Sequence, residues 1–164
     1  MSTALQRASR RNGPLAGAVI AVCIVAIAGF GGMATDTTSD WYRGLDRPGW
    51  QPPGWVFGPV WTTLYVMLGL SAWLAWRDVE GPDRSRILGL YAANGALNLA
   101  WTLIFFRSEA PVAAGIEIVG LLATIVLLIR GTWPHNRAAA LLLVRYAMWV
   151  AFATALTWRI AVAN

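Results

Sequence analysis

WYRGLDRPGWQPPGWVFGPVWTTLY, residues 41–65, holds four tryptophans, four prolines and four glycines, and runs straight into an apolar segment. Rings in such number call for apolar surroundings or a flat ligand, and prolines stiffen the chain that carries them. The rest of the sequence supplies the surroundings. Of 164 residues, 57% are hydrophobic and 13% charged, with a mean hydropathy of +0.54. A soluble domain carries about 25% charged residues. Block length then sets the class, because crossing a bilayer takes about 20 apolar residues. Residues 14–34, 56–76 and 87–106 carry no charge, 111–129 carries only Glu117, and 138–158 carries only Arg145. These blocks predict an all-α membrane protein, a bundle of five spanning helices, between an N-terminal segment 1–13 and a tail 159–164. The alternating segments of about 10 residues that build a spanning barrel are absent from the sequence.

Arg10 and Arg11 precede the first block, as they would in a secretory or twin-arginine signal. The apolar run is longer than the usual 7–15 or so residues of a signal, and no clear small-x-small site follows it, so a retained helix is expected. All thirteen basic residues are arginines. Arginine accumulates in cytoplasmic loops. Arg7, Arg10, Arg11, Arg77, Arg84, Arg86, Arg130 and Arg137 fall on one side of the blocks, and Arg43, Arg47, Arg107 and Arg159 on the other. The N-terminus is therefore expected in the cytoplasm, with the tryptophan-rich loop on the far side. A bacterial inner membrane is the expected location for such a bundle. No basic run with interleaved aromatics lies outside the blocks, so the net charge of +5 reads as topology and nucleic acid is not an expected partner. Cys23 reads as a small buried residue.

The third block shows two faces. At 100° per residue, Tyr91, Asn98, Trp101 and Phe105 lie within about 60° of Asn94. Gly89, Ala92, Ala96 and Ala100 fall on the opposite side, a small-residue stripe that lets membrane helices approach closely. The polar, aromatic face is expected to line a cavity, and the smooth face to pack on another helix, from this chain or a second copy. Phe57, Trp61, Tyr65 and Leu68 repeat an aromatic stripe on the second block, and Tyr146, Trp149, Ala153 and Thr157 on the fifth. Trp41, Trp50, Trp55, Trp76, Trp133 and Trp158 lie near block ends and fit interfacial belts. Trp61, Trp101 and Trp149 lie deeper, where core packing and a ligand pocket are both open readings. Asn94 and Asn98 need partners, because a buried amide is costly without hydrogen bonds.

The missing residues narrow the chemistry. The one histidine, His135, is in a loop, and there is no Cys/His cluster, carboxylate pair or glycine-rich phosphate loop followed by lysine. No metal site, nucleophile triad or catalytic residue is expected. A haem would want His, Cys, Met or Tyr at its iron; Tyr65, Tyr91 and Tyr146 remain as uncommon ligands. Stacking of a flat apolar ligand fits better. Glu117 and Arg145 leave three arrangements open: a buried pair, an arginine that snorkels to the interface, or a glutamate that stands alone.

The string Trp41-Tyr42-x-x-Leu45-x-Arg47-Pro48-x-Trp50-x-Pro52-Pro53-x-Trp55-x-Phe57-x-x-x-Trp61-Thr62-x-Leu64-Tyr65 resembles the signature of the TspO/MBR family of tryptophan-rich sensory and translocator proteins. The resemblance continues at Asn98-x-x-Trp101-x-x-x-Phe105-Phe106 and at Tyr146-x-x-Trp149 with Ala153. It implies a five-helix bundle, usually a homodimer, that binds tetrapyrroles such as protoporphyrin IX with no resident cofactor. It implies a sensing, regulatory or transport role, with light-dependent porphyrin breakdown or a structural, lipid-handling role as alternatives. Trp61, Tyr65, Asn98, Trp101 and Trp149 match the family's pocket positions, Trp50 and Phe57 the loop that covers it, and Ala153 a small residue near the sterol-associated region. Arg47 is placed to meet a porphyrin propionate or a lipid phosphate at the rim. Three positions depart from the family: Asn94 stands for a frequent Gln, Arg145 for a frequent Pro, and Thr157 for an Asn. The tail LTWRIAVAN does not match the family's cholesterol motif.

Overall fold

The structure, a computed structural model, describes residues 3–164, with side chains from residue 13 onward. The side chains of Arg7, Arg10 and Arg11, on which part of the orientation argument rests, lie outside this range. The chain forms α1 (Thr3–Ala34), a short α2 (Asp40–Gly44) in the tryptophan-rich loop, α3 (Gly54–Asp78), α4 (Gly81–Thr102) continued by a π turn (Leu103–Arg107), α5 (Pro111–Thr132) and α6 (Arg137–Ala163). Five of these are long and apolar enough to cross a membrane. Among the described residues there is no strand.

The helices run past the apolar blocks, and the ends show why. Pro53 precedes α3 and cannot extend it backwards, so the helix begins at Gly54. Pro59 therefore sits in the second turn and leaves the Trp55 carbonyl without its helical donor. Gly81, at φ +64°, makes the tight turn between α3 and α4 that a side chain would strain. Asn136 caps α6: its Oδ1 accepts from Ala139 N at 2.9 Å, and its amide donates to Asp78 at the end of α3.

The core lies between α3, α4, α5 and α6. Leu64, Leu68, Ala72, Ile118, Leu121, Ile125, Leu128, Leu143, Tyr146 and Val150 form one buried cluster. α1 packs on α3 and α4 through notches without side chains. A Cβ added at Gly95 would lie 2.6 Å from Ile27 Cδ1, and one at Gly69 would lie 3.1 Å from Ile24 Cγ1. On α5, a Cβ at Gly115 would sit 3.1 Å from the Trp158 ring. The outer face of α1 (Leu15, Val22, Val25, Phe30) is exposed, and Cys23 with it, so the cysteine is on the outside rather than buried. Gly89, Ala92 and Ala96 are also exposed, while Tyr91, Asn94 and Asn98 opposite them are buried. Among the described residues, no helix covers Gly89, Ala92 or Ala96, while Ala100 at the end of the stripe is partly buried.

Glu117 and Arg145 do not pair. Arg145 is exposed beside Leu141 and Met148 on the outer face of α6. Glu117 stands two turns from Thr124 toward the loop end, on the flank of α5 where Thr124 bonds to α4. The two charges thus leave their helices in different directions. Both Glu117 carboxylate oxygens are buried without a hydrogen-bond partner among the described residues. A thermal-unfolding cycle of Glu117→Gln, Arg145→Met and the double variant is expected to be additive. A coupling above about 0.5 kcal/mol would show an interaction that this arrangement lacks.

Candidate functional site

A cavity of about 410 Å³ opens between the loop ends of the helices. Four helices line it because each turns a particular face inward. α3 contributes Phe57, Gly58, Trp61, Thr62 and Tyr65, at helical spacing. α4 and its π turn contribute Asn98, Trp101, Thr102, Phe105 and Phe106; α6 contributes Ala153, Leu156, Thr157 and Ile160. α1 closes the remaining side with Ala28, Gly31 and Gly32, and Thr35 follows at its end. A Cβ on Gly31 would come within 3.9 Å of Thr102 Oγ1 and 4.0 Å of the Tyr65 hydroxyl, so the bare backbone here widens the space.

Two aromatic walls face the cavity. On α3 the Trp61 and Tyr65 rings lie 5.6 Å apart. On α4, Trp101 stacks on Phe105 at 5.2 Å and 18°, and Phe105 meets Phe106 edge-on at 4.9 Å. The π turn, a feature frequent at functional sites, carries this second wall. Its last bond runs from Ser108 N to Leu103 O at 3.0 Å, and Glu109 follows at φ +52°, a left-handed conformation that costs a side-chain-bearing residue energy.

The floor is polar. Tyr65 donates to Asn98 Oδ1 at 3.5 Å. The Asn98 amide donates to the Tyr146 hydroxyl and to Asn94 O. Tyr146 donates in turn to Asn94 Oδ1 at 3.2 Å, and the Asn94 amide donates to Thr124 Oγ1 at 2.8 Å. Tyr146 and Asn94 are wholly buried. They stand beneath the floor, and Asn98 shows the cavity its edge.

The loop forms the roof. Ser39 caps α2 by accepting from Tyr42 N. Asp36 accepts from Thr38 Oγ1 at 2.7 Å, Thr38 N at 2.9 Å and Ser39 N at 3.1 Å, and these donors hold its carboxyl below the usual carboxylate range. Trp41 and Tyr42 then lie against Phe105 and Phe106 at 5.6 Å each. Just before the prolines, Asn164 at the end of α6 clasps Asp46. It accepts from Asp46 N at 2.9 Å and donates to Asp46 O at 3.3 Å, with Arg159 3.7 Å from the Asp46 carboxylate.

The sequence profile of the TspO/MBR family matches residues 19–163. The chain belongs to the TspO/MBR family. It is similar to the tryptophan-rich protein TspO of Archaeoglobus fulgidus, 33% identical over 148 residues, which span 89% of this chain and 95% of the relative. It is similar to the human (Homo sapiens) translocator protein, 37% identical over 120 residues, 72% of this chain and 71% of that one. The tryptophan-rich sensory protein of Cereibacter sphaeroides is 31% identical over 119 residues, 73% of each chain.

Within this TspO/MBR bundle, seven of the residues singled out from sequence border the cavity: Phe57, Trp61, Tyr65, Asn98, Trp101, Phe105 and Ala153. Four do not. Asn94 and Tyr146 lie below the floor. Trp149 stands behind the wall, its ring 6.0 Å from Phe57 and 5.3 Å from Phe152. Trp50 is half-exposed and packs edge-on against Phe152 at 5.7 Å. Its neighbour Gln51 lines the cavity instead and donates to the Tyr42 hydroxyl at 3.3 Å. The sequence reading missed the α1 wall; the Gly31–Gly32 pair inside an apolar helix was its only trace. Tyr146→Phe should leave one donor of Asn98 and the Asn94 oxygen without their partner. Interhelical hydrogen bonds in membranes contribute about 0.5–2 kcal/mol, so the variant should melt earlier in detergent by circular dichroism. An unchanged melting temperature would mean that the hydroxyl does not hold the helices.

Proposed function

We propose that this TspO/MBR chain binds a flat, largely apolar macrocycle of the tetrapyrrole class and acts in its sensing, regulation or transport. One observation carries the reading: two aromatic walls, on α3 and on α4 with its π turn, border a cavity of about 410 Å³ with a hydroxyl and an amide at its floor. Ligand sites of about 300–1,000 Å³ with apolar linings and few polar groups are typical of small-molecule binders. Rings on two walls of one cavity suit stacking on a conjugated ring system. No carboxylate or imidazole borders the cavity among its lining residues, so the walls offer binding rather than proton transfer.

Titration with protoporphyrin IX in the dark, followed by tryptophan quenching, tests the reading. Trp61→Ala removes a wall and should cost about 0.5–1.5 kcal/mol beyond lost area, or up to roughly tenfold in affinity. Trp149→Ala acts only through Phe57 and should cost less. Equal losses, or none, would remove the α3 wall from the site. Loss of the Soret band in light, dependent on Trp61, would point to photochemical breakdown instead of binding alone.

The orientation follows from charge. Arg77, Arg84, Arg86, Arg130 and Arg137 lie at one end of the bundle, with Arg43, Arg47, Arg107 and Arg159 at the other. With arginine favoured in the cytoplasm, the cavity opens away from it, in a bacterial inner membrane. The exposed Gly89, Ala92 and Ala96 face suits a homodimer contact. Ala96→Leu should shift the protein toward monomer in mild detergent, read by light scattering; an unchanged dimer would put the contact elsewhere.

A further inference from the structure

Above the cavity a second hollow, of about 500 Å³, lies open under the loop. Gln51 and Gly54 border both spaces, so the two adjoin. Their chemistry differs. The lower space is walled by rings, whereas the upper is bordered by Asp46, Arg47 and the backbone of a proline-rich turn. Gln51 stands at the junction with its amide oxygen buried and without a donor, a polar atom that a bound group or its hydration can complete.

The charges of the loop are unevenly paired. Asp36 accepts from Thr38 and Ser39. Asp40 lies 3.7 Å from Arg43, and Asp46 lies 3.7 Å from Arg159. Arg47 has no ion-pair partner among the described residues. Its guanidinium carbon sits 4.9 Å from the centroid of the Tyr42 ring, and Tyr42 lines the lower cavity. Stacking on a ring orients a guanidinium without neutralising it, and its planar fork matches a carboxylate. A cation is thus held at the mouth of an apolar cavity, facing an open hollow.

We propose that the loop hollow is a carboxylate subsite, with Arg47 as the residue that selects an acidic side chain on one edge of the macrocycle. This rests on the tetrapyrrole reading and adds a direction to it. The ring enters edge-first between the Trp61 and Trp101 walls, and its carboxylates remain at the loop. A neutral or esterified ring gains the stacking but not the charge-assisted bonds. The same fork chemistry also fits a lipid phosphate, so lipid must be varied in the test.

The probes are protoporphyrin IX and its dimethyl ester, titrated against the full chain in phosphatidylcholine nanodiscs and in discs containing phosphatidylglycerol. In phosphatidylcholine the free acid should bind roughly tenfold tighter than the ester, as charge-assisted hydrogen bonds allow. Arg47→Gln should abolish that preference and leave the ester's affinity unchanged. Arg43→Gln, at a cation already paired with Asp40, should keep it. Equal binding of acid and ester by the unmodified chain, or a preference that survives Arg47→Gln, overturns the subsite while the macrocycle reading stands. An Arg47 effect seen only with phosphatidylglycerol, with no acid–ester difference, also overturns it and assigns the arginine to lipid. If neither probe binds in either disc, the macrocycle reading itself fails.

Discussion

No water reaches a buried amide inside hydrocarbon, so Asn94 and Asn98 must find every partner within the protein. They find them through three hydroxyls, one of which joins the two amides. Tyr146, wholly buried on α6, accepts from Asn98 and donates to Asn94, and so ties α6 to α4. Thr124 extends the network to α5 and Tyr65 extends it to α3. Four helices meet on a few polar atoms, and a rotation of any one by a single residue, about 100°, would leave an amide facing methyl groups. Toward the other end Tyr91 donates to Ser71, which donates to Ala139 O at 2.8 Å. Apolar packing alone is weakly directional in lipid, where the tails are as apolar as the side chains. These bonds supply the direction.

The network also sets where the cavity stops. On α3 the lining ends at Tyr65, on α4 it begins at Asn98, and on α6 it begins at Ala153. Below that level Leu68, Leu121, Leu143 and Val150 fill the space between the helices. Above it the helices carry rings and small residues in place of aliphatic chains, and the rings stack along their own walls instead of interlocking across the gap. The empty volume thus results from side-chain choice on a bundle pinned just beneath it. α1 completes the enclosure, because Gly69 and Gly95 let Ile24 and Ile27 sit close while Gly31 and Gly32 leave the upper part open.

Periodicity made the faces of α3, α4 and α6 legible in the sequence, because a spacing of three and four residues fixes what shares a side. It did not fix what a face meets. Asn94 shares the face of Asn98, yet one turn of depth puts it under the floor. Trp149 follows the Tyr146 stripe, yet it lies behind Phe57. Glu117 and Arg145 are near enough in level to suggest pairing, but the angle at which each leaves its helix separates them, and angle between neighbours is a property of packing. The π turn left no signal, because Leu103–Arg107 reads as ordinary helix until Ser108 is seen bonded to Leu103 O. The α1 wall was hidden for another reason. Its contribution is the absence of side chains, and glycine in a membrane helix is commonplace.

The roof obeys a different physics from the walls, since it lies at the edge of the hydrocarbon and its polar bonds compete with water. It is held at two anchors. On one side Trp41 and Tyr42 rest on Phe105 and Phe106, an apolar contact that hydration does not weaken. On the other, Asn164 and Arg159 hold Asp46 through exposed bonds, and exposed ion pairs stabilise little. After the second anchor, Pro48, Pro52 and Pro53 remove backbone freedom on the way to α3. A segment stiffened in this way has few conformations left to lose when a ligand arrives beneath it. The unequal anchors mean that loosening starts at Asp46, beside Arg47 and over the open hollow, while the rings on α4 keep the roof in register with the cavity.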